Sequence, residues 1–153
     1  MDILLYKPQI PQNTGNIVRT CSVTSTGLIL TRPLGFSVSS KHLKRAGLDY
    51  WNEVNIQYID DLLAYLKATQ RPFYFFSSKV TAPYTAINFS QDAILIFGSE
   101  TFGLPPEIFD MWPEKCYTIP MVSDARCLNL SNSAAIVLYE ALRQQDFKFA
   151  NTN

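Results

Sequence analysis

Apolar, β-favouring residues recur in short runs at positions 3–6, 28–31, 54–58, 73–76, 93–97 and 116–119. The segments between them are long enough to be helical, so the pattern predicts an α/β fold, a mainly parallel sheet with helices on both faces. The run Ala93-Ile94-Leu95-Ile96-Phe97 contains no polar residue. A strand with one wet face would alternate apolar and polar side chains, so this run predicts a central strand covered on both sides.

Three helices can be placed from caps and spacing. The first is expected from Asn13 or Thr14, good N-cap types, to just before Gly27, a residue type suited to a helix end. Asn13, Asn16 and Arg19 then share one side of it. Asp60 is expected to cap a helix reaching about Thr69, with Leu62, Leu63 and Leu66 towards the sheet. For the last helix, Ser131 or Asn132 is the expected cap. Its stripe of Ala134, Ala135, Val137, Leu138, Ala141 and Leu142 is wide enough to serve the sheet and a partner subunit together.

Length and composition narrow the class. A chain of 153 residues has the size of one domain, expected over 1–153, that can bury a core without disulfides or a structural metal. At 17% charged and 47% apolar residues it is not a disordered tail protein. Thirteen basic residues balance thirteen acidic ones, so net charge gives no general affinity for nucleic acid, and any RNA site must be local or assembled from two subunits. Lys41, His42, Lys44 and Arg45 form one local basic cluster, either a solvated helix face or a phosphate-binding patch. Cys21, Cys116 and Cys127 are widely spaced and odd in number, which argues against a disulfide framework or zinc site and points to a reducing compartment. No signal-peptide pattern opens the chain, and the apolar runs are far too short to span a bilayer. A cytoplasmic, soluble protein is expected.

Three segments hold most of the polar residues that secondary structure leaves unexplained. They are Pro11-Gln12-Asn13-Thr14-Gly15-Asn16-Ile17-Val18-Arg19, Gly98-Ser99-Glu100-Thr101-Phe102-Gly103-Leu104-Pro105, and Ile119-Pro120-Met121 continuing to Leu128-Asn129-Leu130-Ser131-Asn132. The second and third follow strands directly, where open parallel sheets bind their ligands. Gly98 and Gly103 would let backbone groups approach a ligand closely, although the same loop reads as an ordinary strand-to-helix turn with Glu100 at the positive helix end. No GxGxxG follows a strand and no Walker lysine is present. The only histidine, His42, stands apart from any nucleophile, and no metal-ligand spacing appears. What remains is positioning and electrostatics, with a cofactor supplying the reactive group.

These three segments resemble the three motifs of the SPOUT methyltransferases, in particular the TrmL-type tRNA (cytidine or uridine 34) ribose 2′-O-methyltransferases. Pro33-Leu34-Gly35-Phe36, Arg45-Ala46-Gly47-Leu48-Asp49-Tyr50 and the helix carrying Tyr139-Glu140-Ala141 with Arg143-Gln144 match as well. The resemblance covers nearly the whole chain, and all motifs in order make it specific. It implies an α/β sheet whose C-terminal segment forms a deep trefoil knot, a fold that general rules of chain topology would exclude.

The same resemblance implies S-adenosylmethionine, released as S-adenosylhomocysteine, gripped largely by backbone near Phe76, Gly98, Ile119, Cys127 and Leu128. It implies a homodimer joined by the knot helices, acting on the tRNA anticodon stem-loop, of leucine isoacceptors; the local positive patch of Lys41, Lys44 and Arg45 on a neutral chain is then expected to bind the RNA phosphates. Arg19 corresponds to the family's catalytic arginine, and Asn13, Glu100 and Asn129 would orient it and the ribose. Cys127 stands where the family usually has serine, and Phe76 where leucine is common. A ribose methyltransferase for another tRNA or rRNA position, or an RNA-binding dimer without activity, are the competing readings. Retention of Arg19, Glu100 and Asn129 counts against the last.

Overall fold

The computed structural model describes residues 1–37, 48–123 and 126–151. Six strands, β1 (Asp2–Tyr6), β2 (Gly27–Thr31), β3 (Ile56–Ile59), β4 (Phe73–Phe76), β5 (Ile94–Phe97) and β6 (Cys116–Tyr117), form one sheet of order β3-β2-β1-β5-β4-β6. Every pairing is parallel, with Ile3 opposite both Leu28 and Leu95. Among the described residues the α-helices are α1 (Pro11–Thr24), α2 (Leu62–Ala68), α3 (Glu107–Met111) and α4 (Leu130–Arg143). β4 has the expected ends, and those of the other strands differ from expectation by at most two residues. The run at 116–119 shortens because the Thr118 backbone pairs with residues 82–84 instead: Thr118 N–H donates to Ala82 O and its carbonyl accepts from Tyr84 N–H, both at 2.8 Å.

Alternation along each strand divides the core into two layers. Ile3, Leu5, Leu28, Leu30, Leu95 and Phe97 pack with Ile17, Val18, Val137 and Leu138 on the α1 and α4 side. Leu4, Ile29, Ile94, Ile96 and Phe75 pack with Leu62, Leu66 and Ile108 on the α2 and α3 side. All four residues of β5 are buried, as a central strand covered on both faces requires. No helix among the described residues is long and apolar enough to cross a membrane.

The helix ends correct four expectations. α1 begins at Pro11, so Asn13 and Thr14 lie within its first turn rather than capping it, and Ile10 at the cap position offers no side-chain bond. Proline suits this position because its missing N–H would have no helical partner. The helix closes on Ser25 in the left-handed region (φ 53°), while Gly27 opens β2. There a Cβ would come within 2.1 Å of Asp2 Oδ1. α2 is capped by Asp61, which accepts from Ala64 N–H at 2.9 Å, whereas Asp60 pairs with Arg32 at 2.9 Å. α4 is capped by Asn129, whose Oδ1 accepts from Ser131 N–H at 2.8 Å.

The last turn of α4 is tied to the β4–β5 connection by one side chain. Gln144 accepts from Phe89 N–H at 2.9 Å and donates to Ile87 O at 3.0 Å, and it donates a second bond to Glu140 Oε1 at 2.9 Å. Ile87 and Phe89 are both buried, so water cannot replace these bonds. Gln144→Ala should therefore destabilise the fold by about 1–3 kcal/mol, read as a lower urea midpoint with an unchanged slope.

Candidate active site

The chain runs β1 to β3 outward on one side of β1, then returns to build β4, β5 and β6 on the other. The loops after β4, β5 and β6 thus gather at one carboxyl edge beside β1, where parallel sheets form crevices. A cleft of 520 Å³ lies there, within the roughly 300–1,000 Å³ typical of small-molecule sites. Phe76, Gly98, Ile119, Cys127 and Leu128 all line it, together with Asn13, Glu100 and Asn129.

Three side chains at the cleft form a continuous hydrogen-bonded run. Glu100 accepts from Gln9 N–H at 2.8 Å, Ile10 N–H at 3.2 Å and Asn13 Nδ2 at 3.1 Å. Asn13 Oδ1 in turn accepts from Asn129 Nδ2 at 2.8 Å. Glu100 thus holds the entry of α1, accepting the backbone N–H groups of Gln9 and Ile10 just ahead of the helix rather than one from its first turn, and its charge favours the positive end of that helix. The sequence suggested Glu100 at the N-terminus of the helix following its own loop; the carboxylate instead serves α1, 90 positions away in the chain.

The β5 loop is folded tightly back on its strand. Ser99 and Gly103 exchange both backbone bonds, at 3.1 and 2.9 Å, and Ser99 Oγ accepts from Phe102 N–H at 3.1 Å. Gly103 has φ +70°, and a Cβ on Gly98 would lie 2.2 Å from the Gly103 carbonyl carbon. Only glycine at both positions permits this turn.

Arg19 is placed differently. It is exposed on α1 and does not line the cleft; six residues beyond Asn13, it lies about 9 Å further along the helix axis. Its guanidinium sits 5.3 Å from the Tyr50 ring centroid. Asn16 is exposed on the same helix. Lys41, Lys44 and Arg45 fall outside the described residues. Sequence reasoning missed Ser77, Ser78 and Lys79, which line the cleft; their one signal was their position directly after β4. Among the described residues no group of His, Cys, Asp and Glu could hold a metal ion.

The SpoU rRNA Methylase family model matches residues 1–139. A tRNA (cytidine(34)-2′-O)-methyltransferase of Methylovorus glucosotrophus is 49% identical over 148 residues, covering 95% of this chain and 96% of that one. The Escherichia coli (strain K12) protein of the same name is 42% identical over 146 residues, covering 94% and 93%. A structure solved in work on 2-OH methylation of C/U34 on tRNA superposes with a TM-score of 0.86 at 40% identity, covering 95% of both chains. An AdoMet-bound rRNA methyltransferase of Sinorhizobium meliloti superposes with a TM-score of 0.82 at 25% identity, over 93% of this chain and 55% of that chain. Fold and cleft define a SPOUT-type methyltransferase. The chain belongs to the SpoU methylase family.

The cleft also separates the three thiols. Burial, with the nearby Asp2 charge second, pushes the Cys21 thiol up to about 12, and burial followed by the Glu114 charge raises that of Cys116. Cys127 is exposed at the cleft. An aromatic disulfide reagent should label Cys127 alone in the native protein at pH 8, reaching the other two only on unfolding. Rapid labelling of Cys21 or Cys116 would contradict this core.

Proposed function

We propose that the chain transfers the methyl group of S-adenosylmethionine to the ribose 2′-hydroxyl of the tRNA wobble nucleotide, cytidine or uridine 34. The resemblance points to leucine isoacceptors. The observation that carries this reading is the convergence of Asn13, Glu100 and Asn129 with the glycine-closed β5 loop at one cleft.

The residues present suit the cofactor. The cleft has the right size, its apolar lining from Phe76, Phe97, Ile119 and Leu128 offers faces for an adenine ring, and the tight turn at Gly98 and Gly103 brings main-chain polar groups to its edge. Phe76, Gly98, Ile119, Cys127 and Leu128 would hold the cofactor, which when bound supplies a methyl group already activated by its sulfonium charge. The work left to the protein is on the hydroxyl. Arg19 donates to the developing 2′-alkoxide, stabilising charge that is absent from the ground state. A guanidinium is not a proton acceptor near neutral pH, so the proton leaves to RNA phosphate or water. Asn13, Glu100 and Asn129 fix the cleft wall against which the ribose is oriented.

A homodimer accounts for two features. Ile136 and Tyr139 on α4, with Phe147 just beyond it, are large and exposed, and Arg19 lies outside the cleft of its own chain. A second copy docked through α4 would cover the first and bring Arg19 to a shared site. The C-terminal trefoil knot, a cytoplasmic location and tRNA phosphate contacts from Lys41, Lys44 and Arg45 belong to the same reading. Sedimentation should give a dimer at assay concentration; a stable, active monomer would remove the shared site.

The decisive experiment incubates the protein with labelled S-adenosylmethionine and unmodified tRNA and maps the methylated nucleotide. Label at the ribose of position 34 is expected, and label at another position would overturn the specificity. Arg19→Ala should keep its fold and cofactor affinity but lose roughly 10²–10³-fold in single-turnover rate. Lysine should restore only part of it, because an ammonium lacks the planar donor fork.

A further inference from the structure

Arg32, Arg71 and Arg143 each hold a carboxylate. Arg19 has no ion pair among the described residues and is met instead by the Tyr50 ring. That ring is firmly mounted. Ser22, one turn along α1, donates its hydroxyl to Glu53 at 2.6 Å, so Arg19 and Ser22 on the helix meet Tyr50 and Glu53 on the 3-10 turn Leu48–Glu53 at matching intervals of three. The two contacts join the same face of α1 to that turn at the same spacing. Tyr50 and Trp51 pack against the core on the α1 side.

We propose that Tyr50 is a positioning residue for Arg19, its ring holding the guanidinium in place while leaving the charge and the N–H donors free for the ribose. The proposal rests on the reading of Arg19 given above. A carboxylate partner would take two of the five donors and neutralise the charge that the alkoxide needs. An aromatic face attracts the cation through its quadrupole and accepts no in-plane hydrogen bond, so the planar edge stays available. A flexible exposed arginine would otherwise lose rotamer entropy on reaching the transition state. The ring removes part of that cost beforehand, which makes the effect one on rate rather than on ground-state binding.

The test uses the full-length protein with tRNA. Tyr50→Leu keeps an apolar side chain for the core and removes the ring; Tyr50→Phe keeps the ring and removes only the hydroxyl. Tyr50→Leu should lower the single-turnover rate at saturating tRNA and cofactor about tenfold, with KM for tRNA and affinity for S-adenosylhomocysteine unchanged. Tyr50→Phe should stay close to the parent. In an Arg19→Ala background, Tyr50→Leu should cost nothing further, because the residue it serves is gone. Independently of activity, the Arg19 Nε–H resonance, identified by its loss in Arg19→Ala, should carry a ring-current shift that Tyr50→Phe preserves and Tyr50→Leu abolishes.

A parent rate in Tyr50→Leu, or the same loss with and without Arg19, would overturn the proposal while leaving the catalytic reading of Arg19 intact. A parent rate in Arg19→Ala with the ring-current shift still present in the parent protein would instead overturn that reading, and the contact would be structural only.

Discussion

The hydrogen-bonded run Glu100–Asn13–Asn129 holds together three segments that have no sequence neighbourhood in common, and its direction follows from one fact: a carboxylate only accepts. Glu100 must receive the Asn13 amide N–H₂, which turns the Asn13 carbonyl oxygen outward. That oxygen needs a donor, and Asn129 presents its amide N–H₂ to it while its own carbonyl accepts from Ser131 as the cap of α4. The N-terminal ends of two helices on the same face of the sheet are thereby joined directly, and the β5 loop is joined to the first of them. Aspartate at either asparagine would set acceptor against acceptor, a fault at two helix ends at once.

This constraint locates the cleft as well. Parallel strands send every loop of this kind to one edge, and the return of the chain across β1 opens the gap between them. The gap stays open because its walls are pinned from within. Gly98 and Gly103 fold the β5 loop flat, Glu100 anchors it to α1, and Thr118 ties the segment after β6 to residues 82–84.

How much of this was legible follows from the range of each interaction. The strands and the sidedness of the helices were readable because burial on two faces leaves an imprint within five or six residues, as in Ala93 to Phe97. The caps were misplaced because local preference cannot see tertiary partners. Asn13 looks like an N-cap, yet its amide is used across the cleft, and the segment leading into α1 is held by Glu100 from far along the chain. The cleft residues came from motif resemblance, and the physical reason for them appeared only when the loops were brought together. The loop at 77–79 was overlooked because nothing in its composition distinguishes it from any strand end. The Arg19–Tyr50 contact was invisible because its members sit on elements whose packing no local pattern reports.

Cys127 shows how such a site absorbs a chemical change. Serine is usual there in the family this chain resembles, and a thiol is a much weaker donor than a hydroxyl. If the side chain at this position carried the ligand's hydrogen bond, the exchange would be costly. Ser78 Oγ, however, lies 3.3 Å from Cys127 Sγ across the cleft-lining loops, so a strong hydroxyl remains beside the altered side chain. The backbone groups of both segments are unaffected by what either side chain carries. On the proposed reading, in which the cleft binds through its main chain and neighbouring loops in parallel, little weight falls on any one side-chain donor; the thiol would leave the binding chemistry in place and adds an exposed sulfur to the cleft.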